Sequence, residues 1–122
     1  MWEFTNDRPI YLQLMEQMTL MVTNGTYKPG EKAPSVRDLA TEAGVNPNTV
    51  QRAFSELERN GVLVSQRTTG RYITEDGESL KRLKGRLAKE QIHDFIEKMG
   101  KLGFTPGEVV GLIEEEMKEV VS

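Results

Sequence analysis

Apolar residues recur every three or four positions over the first half of the chain, which is typical of amphipathic helices. This spacing predicts a first helix from Pro9 to Asn24, with Asp7 as its N-cap. A second, shorter helix is predicted to begin near Ser35, whose hydroxyl can cap its first turn, and to end at Gly44. The chain is therefore expected to open with two helices joined by a turn-rich segment.

The next segment carries a third helix and then a change of period. Asn46 and Pro47 supply a cap and a first-turn proline, and Gly61 ends the helix. Two short runs with β-branched and aromatic residues follow, Val62–Ser65 and Arg71–Thr74, on either side of a polar turn. They predict a small β-hairpin directly after the three helices.

Two further amphipathic helices are predicted in the C-terminal third, after a polar break at residues 75–78. The first runs from Ser79 to Met99. Thr105 and Glu108 have the spacing of a capping box, so the last helix should extend to about Val120. A tail of about 46 residues is smaller than the ~70 to 80 residues that a self-sufficient core usually requires. Its apolar stripes therefore need another surface.

Composition excludes several classes of protein. The 122 residues contain no cysteine and one histidine, which excludes a disulfide framework, a zinc ribbon and a thiol nucleophile. No nucleophile with its base and no glycine-rich phosphate loop can be assembled, so we expect no enzyme, no metal site and no cofactor. No apolar run approaches the ~18 residues of a membrane span, and the N-terminus lacks the pattern of a secretion signal. The protein is therefore expected to be cytoplasmic, with no membrane partner.

The formal net charge of −3 means that any surface for nucleic acid must be a local feature. Such a feature lies between residues 45 and 74, which contain four basic residues and two acidic ones. These residues are Arg52, Arg59, Arg67 and Arg71 against Glu56 and Glu58. This stretch is net positive within an acidic chain.

Ala40, Gly44 and Val50 lie four and six residues apart, which is the spacing of a helix-turn-helix. The small alanine permits close approach of the second helix, the glycine adopts the left-handed turn, and the valine fills the interface. A tight helical corner with no role in DNA binding has the same spacing and remains an alternative for these three residues alone.

The two faces of the third helix differ in chemistry. At ~100° per residue, one face is apolar and comprises Val50, Ala53, Phe54 and Leu57. The opposite face has hydrogen-bonding residues and no acid: Asn48, Gln51, Arg52 and Ser55. Because Asn and Gln pair with adenine and Arg with guanine in the major groove, this face is predicted to read base edges.

The hairpin turn at residues 66–71 presents arginines and hydroxyls, which suit a minor groove or adjacent phosphates. A surface hairpin with solubilising charge is the alternative for this segment alone. Together the patterns predict a mainly α fold with a small β-hairpin. We expect a winged helix-turn-helix DNA-binding domain at residues 1–76, followed by a C-terminal helical hairpin at residues 77–122.

The motifs of the first domain resemble the GntR family of bacterial transcription regulators. The matching segments are Pro34–Ala40, Gly44–Val50 and Leu57–Gly61, extended by Pro9–Leu14 and Tyr27–Lys32. The resemblance covers about residues 7–75 and implies a winged helix-turn-helix that binds duplex DNA. The short two-helix tail is similar to that of the YtrA subfamily, in which the tail is associated with dimerisation.

The resemblance places DNA contacts at Arg37 and at the start of the third helix, with Gly70 at the wing tip. Pro47 and Gln51 stand where other members have arginine, so no half-site is transferred to this chain. The wing also lacks the two-glycine tip of many relatives. From the resemblance and the two faces, the predicted DNA-binding residues are Ser35, Arg37, Asn46, Asn48, Thr49, Gln51, Arg52, Arg67, Thr68, Gly70 and Arg71.

The tail predicts a homodimer, because two helices that cannot bury their stripes alone can do so against a second copy. Packing of the tail on its own first domain is the alternative. The predicted dimerisation residues are Leu83, Leu87, Ile92, Phe95, Ile96, Met99, Leu112, Ile113 and Met117. A two-fold dimer presents two recognition helices to successive major-groove faces and predicts an inverted-repeat operator.

The sequence therefore predicts a transcriptional repressor that binds duplex DNA as a homodimer, and the likeness to the YtrA subfamily implies control of transporter genes. The residues point to no particular small-molecule effector. The alternative is a winged-helix protein-interaction module that does not bind DNA. Steep weakening of binding with salt distinguishes the first function from the second.

Overall fold

The computed structural model describes residues 2–121. Within them the chain order is α1 (Ile10–Thr23), α2 (Val36–Ala43), α3 (Pro47–Arg59), β1 (Leu63–Gln66), β2 (Gly70–Ile73), α4 (Gly77–Lys101) and α5 (Pro106–Val121). The predicted fold class, mainly helical with one small hairpin, is confirmed. The predicted ends of the helices and strands agree closely with these bounds.

The caps of α2 and α3 are the predicted ones. The Ser35 hydroxyl accepts from the backbone N–H of Asp38 at 3.0 Å. The Asn46 side chain accepts from the backbone N–H of Asn48 at 2.8 Å. Between the two helices Gly44 takes the left-handed conformation, with φ 70° and ψ 35°. Local sequence therefore sets the corner between α2 and α3.

The start of α1 differs from the prediction. Pro9 is the N-cap residue and no side chain caps the helix. Asp7 instead accepts from the Thr5 hydroxyl. The buried Gln13 donates its amide to the carbonyls of Thr5 and Arg8, at 3.0 and 2.8 Å. The predicted Asp7 cap is therefore wrong, because a side chain within α1 binds the preceding segment in its place.

The core of the first part of the chain lies around α3, against which α1, α2 and β1 all pack. The predicted apolar stripe of α3 is buried in full, which confirms its orientation. The largest fully buried side chains are Phe54, Leu14, Met18, Leu39, Leu57, Leu63, Ile73 and Val50. Burial of these side chains fixes the opposite face of α3 outward.

The hairpin is antiparallel, with Leu63 opposite Ile73 and Gln66 opposite Gly70. A third segment lies beside β2, since Lys32 forms an isolated antiparallel bridge with Tyr72. The segment that leads into α2 is thereby joined to β2, and the hairpin has a fixed place beside the helices. This arrangement is a winged helix-turn-helix.

The chain divides into two compact units, one ending at Leu83 and the other beginning at Lys84. The division falls within α4, beyond the end of the first domain at residue 76 that the sequence predicts. Leu80 and Leu83 are half-buried and pack against the core of the first unit. Leu83 had been predicted as part of the dimerisation surface, but its contacts lie in this core because α4 continues the first unit for its first two turns.

The second unit contains the rest of α4 and all of α5. Its capping box is confirmed: the Thr105 N–H donates to Glu108 Oε1 at 2.9 Å, and the Glu108 N–H donates to Thr105 Oγ1 at 3.3 Å. The bond from the Thr105 backbone lowers the pKa of Glu108. Of the described residues of α5, Val109 is the buried one. None of the helices within residues 2–121 has the length and apolar character that a membrane span needs.

Candidate nucleic-acid interface

The outward face of α3 is polar along its N-terminal half. Asn48, Gln51 and Arg52 are exposed, and Thr49 is half-buried. Gln51 Nε2 lies 3.4 Å from the Ser55 hydroxyl, one turn further along the same face. These side chains offer amide, hydroxyl and guanidinium groups in one row, which is the set of donors and acceptors that base edges require.

Two capping residues flank this face with donors still available. Ser35 and Asn46 use their side-chain oxygens to accept from the first turns of α2 and α3. The Ser35 hydroxyl proton and the Asn46 amide protons remain for an outside acceptor. Because a helix N-terminus also carries partial positive charge, both positions suit an anionic oxygen such as that of a phosphate.

Between residues 45 and 74, the two acidic side chains form ion pairs with two of the four arginines. Arg59 pairs with Glu56 at 3.7 Å, and Arg71 Nε donates to Glu58. Within the part of the chain that the structure describes, Arg52 pairs with no carboxylate. The same holds for Arg67 and Arg37, so the arginines without a carboxylate partner lie on α2, on the outer face of α3 and on the hairpin turn.

The two arginines of the hairpin occupy different environments. The Arg71 side chain is 22% exposed, and its guanidinium lies 5.2 Å from the centre of the Phe54 ring as well as bonding to Glu58. Arg67 and Thr68 are exposed at the turn. Arg71 therefore ties β2 to α3, while Arg67 and Thr68 project from the wing.

Lys32 is a basic residue beside the wing that sequence reasoning missed. A Cβ added to Gly70 would lie 3.3 Å from Lys32 Cε, so the lysine side chain runs along the turn. Its position follows from the bridge to Tyr72, and the two residues are 40 positions apart in the chain. No local pattern connects residues at that separation, and the structure is needed to see them together.

Tyr11 is a second residue without a predicted role. The Arg52 guanidinium carbon lies 3.8 Å from the centre of the Tyr11 ring, and Arg52 Nη2 lies 3.2 Å from the Tyr11 hydroxyl. A shallow pocket of about 370 Å³ opens at this contact, lined by Ile10, Tyr11, Asn48, Thr49 and Arg52. The first turn of α1 thus borders the predicted base-reading face.

A further arginine, Arg8, lies just before α1 and is paired with a carboxylate. Arg8 bonds to both carboxylate oxygens of Glu16, at 2.6 and 2.8 Å. The hydrogen bonds from Arg8 lower the pKa of Glu16. Among residues 2–121, no group of three or more His, Cys, Asp and Glu side chains is arranged to hold a metal ion.

The predicted dimerisation residues other than Leu83 lie in the second unit, largely uncovered. Ile92, Phe95, Ile96, Ile113 and Met117 are between 41% and 57% exposed. The two helices, α4 and α5, share one compact unit, and much of their apolar surface stays exposed. Between them is a groove of about 470 Å³, lined by Phe95, Met99, Leu112, Ile113, Glu116, Met117 and Val120. An exposed apolar groove of this kind is a candidate contact surface.

Comparison with known proteins agrees with this geometry. The family of bacterial regulatory proteins named gntR matches residues 10–73. The HTH-type transcriptional regulator YhcF of Bacillus subtilis is 39% identical over 108 residues, covering 88% of this chain and 89% of YhcF. The HTH-type transcriptional repressor YtrA of the same organism is 45% identical over 89 residues, covering 72% of this chain and 68% of YtrA.

Solved structures give the same answer. A GntR family transcriptional regulator from Listeria monocytogenes superposes with a TM-score of 0.85 at 38% identity, covering 92% of this chain and 98% of that one. The DNA-binding domain of AraR, solved in complex with operator ORX1, has a TM-score of 0.55 at 25% identity over 59% of this chain and 93% of its own. The chain therefore belongs to the GntR family of bacterial regulatory proteins, which are transcriptional regulators and not enzymes.

Proposed function

We propose that this protein represses transcription by binding an inverted-repeat operator in duplex DNA as a homodimer. The observation that carries the proposal is the exposed, acid-free N-terminal half of α3, where Asn48, Gln51 and Arg52 stand in one row. Such a row matches the donor and acceptor pattern of a major groove. The likeness to the AraR domain, which was solved with an operator, supports the same mode of binding.

In this proposal the roles of the residues follow from their chemistry. Gln51, Asn48 and Arg52 meet base edges, because amides and guanidinium groups can form paired bonds there. Ser35, Asn46 and Thr49 bind phosphates at the helix N-termini, where N–H groups favour anions. The remaining contacts come from Arg37 on α2 and from Arg67, Thr68 and Gly70 of the wing, while Arg71 holds the wing to α3.

We propose that the two units divide the work, with DNA binding in the first and dimerisation in the second. The apolar groove between α4 and α5 is open, and several of the side chains that line it are exposed. The same helices of a second copy match it in length and apolar character. Removing these side chains from water is the main driving force for such association. The dimerisation residues are then Leu87, Ile92, Phe95, Ile96, Met99, Leu112, Ile113 and Met117.

A two-fold dimer binds two half-sites about one helical turn apart, which gives the operator its inverted symmetry. The similarity to YtrA, which is named a repressor, supports repression as the outcome. The likeness of the tail to that of the YtrA subfamily supports transporter genes as the targets. The protein would act in the cytoplasm, where bacterial DNA lies.

Selection of duplex fragments by the purified full chain tests the proposal. We expect an inverted repeat to be enriched and to be bound by one dimer. A salt titration on that fragment should then show a steep loss of affinity, about a thousandfold between 50 and 200 mM if a dimer makes about six phosphate contacts. Arg52→Ala should weaken binding to the selected fragment with little loss of stability, because its side chain is exposed.

A well-folded dimer that enriches no sequence would contradict the proposal. A complex with weak salt dependence would also contradict it, because counterion release accompanies binding to several phosphates. Either result would favour the alternative function, a winged-helix module that binds another protein through its apolar groove.

A further inference from the structure

Arg52, the central cation of the proposed base-reading face, does not extend freely from α3. Its guanidinium carbon lies 3.8 Å from the centre of the Tyr11 ring, so the planar group rests on the face of the phenol. Arg52 Nη2 also donates to the Tyr11 hydroxyl at 3.2 Å. Two independent contacts therefore hold one side chain of α3 against the first turn of α1.

Tyr11 can hold a partner because its own position is fixed. The ring is half-buried and packs against the core of the first unit. A long arginine side chain has many rotamers in solution, and a fixed aromatic surface selects those in which the guanidinium lies flat against it. The contact thus restricts the motion of the exposed Arg52 side chain, because its partner is packed against the core.

The partner of Arg52 is neutral, whereas two other arginines of this region have acidic partners. Arg71 donates to Glu58, and Arg59 lies 3.7 Å from Glu56, so a carboxylate offsets part of the positive charge of each. Arg52 rests on a neutral ring instead. Stacking uses the face of the guanidinium and the hydroxyl uses one N–H, which leaves its other N–H groups in the plane for an outside acceptor.

We propose that Tyr11 is a positioning residue for DNA recognition, which holds the Arg52 guanidinium in the orientation that reads the operator. This inference rests on the proposed function, since it assumes that α3 binds DNA. Orienting the side chain in advance lowers the entropy cost of fixing it in the complex. The gain applies to a base contact, which demands one geometry, more than to a phosphate contact, which accepts several.

A double-mutant cycle tests the proposal, with the fragment selected above and a scrambled fragment of the same length. Tyr11→Leu removes both contacts and should weaken binding to the selected fragment by about three- to tenfold, with little change for the scrambled one. In the Arg52→Ala background the same substitution should have no further effect. Tyr11→Phe, the matched control, keeps the ring and should lose no more than about twofold.

Two results of the cycle would overturn the inference. One is a loss from Tyr11→Leu that persists in full without Arg52, and the other is an equal loss on selected and scrambled DNA. Either would show that Tyr11 acts only as part of the scaffold. If the unmodified protein prefers no sequence, the proposed function fails and this inference fails with it. If the unmodified protein binds specifically but the effects of the Tyr11 and Arg52 substitutions simply add, the proposed function stands and only the role of Tyr11 is overturned.

A measurement on the unmodified protein tests the proposal even if the variants do not fold. Nitrogen-15 relaxation of the arginine Nε groups reports side-chain motion on the picosecond to nanosecond timescale. We expect Arg52 Nε to be more ordered than the Nε of Arg67, which is exposed on the wing. Equal mobility of the two groups would overturn the proposal without any substitution.

Discussion

Gly44 occupies the one position between α2 and α3 where the backbone is left-handed, with φ 70°. A Cβ there would meet no atom within 4 Å, so a side chain has room and the cost of adding one comes from the backbone. We expect Gly44→Ala to lower the free energy of unfolding by about 1–2 kcal/mol, because L-residues disfavour this conformation. Urea denaturation followed by circular dichroism measures the change.

Two substitutions serve as controls for Gly44→Ala. Gly44→Asn should cost less, because asparagine tolerates the left-handed region. Gly85→Ala should raise the stability of α4 by about 0.5–1 kcal/mol, since alanine is the better helix former and space is open there. If the two alanine substitutions changed stability in the same direction, backbone strain at Gly44 would not be the cause.

Residue-level features were predictable when the partners are near in sequence. The caps at Ser35, Asn46 and Thr105 each depend on a backbone group two or three positions away, and sequence spacing reveals them. The contact of Arg52 with Tyr11 joins residues 41 positions apart. Because only packing brings those two helices together, local spacing contains no trace of it.

The wing is held to α3 by a side-chain ion pair in addition to its strand pairing. Arg71 on β2 binds Glu58 on α3, and both side chains are no more than 30% exposed. We expect Arg71→Ala to lower the free energy of unfolding by roughly 1–2 kcal/mol, because it leaves a half-buried carboxylate without its charged partner. Hydrogen exchange of the β1 and β2 amides should become faster in this variant.

Arg67→Ala is the matched control on the same hairpin. Arg67 is exposed and has no carboxylate partner among the described residues, so stability should change by less than about 0.5 kcal/mol. Operator affinity should fall, and the slope of log affinity against log salt should decrease by about one for each wing that contacts phosphate. Indistinguishable stabilities for Arg67→Ala and Arg71→Ala would contradict the division of roles between the two arginines.

At the scale of helices and strands, the hydrophobic period predicted the elements and their order. It did not predict the third segment beside the hairpin, where Lys32 forms a bridge with Tyr72. A single bridge has no period of its own, and its formation depends on where α2 packs. For the same reason the sequence suggested a wing charged by arginine alone and missed the lysine beside it.

The apolar surface of the second unit gives a test at the scale of the whole molecule. Ile113 is 42% exposed in the groove between α4 and α5. A charge there would be buried in the proposed dimer, so Ile113→Glu should weaken dimerisation at least about 30-fold, which corresponds to roughly 2 kcal/mol. Sedimentation velocity over a range of concentrations measures the monomer fraction, and operator binding should weaken in parallel.

Leu20→Glu is the control for this change of charge. Leu20 is an exposed leucine on α1, 52% exposed and outside the groove. Its replacement adds the same carboxylate to the chain and should leave the dimer intact. A dimer that survived Ile113→Glu as well would show that the groove is not the contact between the two copies.

The division of the molecule was the least predictable feature of the fold. A polar break at residues 75–78 suggested a boundary there, and α4 indeed begins at that break. Its first two turns nevertheless belong to the first unit, because Leu80 and Leu83 find apolar partners in that core. Amphipathic spacing shows that a stripe exists, but it does not show which surface covers the stripe.

The pairing of Glu56 and Glu58 with Arg59 and Arg71 also bears on how the protein searches for its site. Because the net charge is −3, the protein as a whole has no long-range attraction to DNA, and attraction must come from local basic surfaces. Such local fields act within about 8 Å at physiological salt, so we expect encounters that do not place a basic surface against DNA to be short-lived. We therefore expect residence on arbitrary DNA to be brief, so that the protein remains free to sample the genome for the operator of the proposed function.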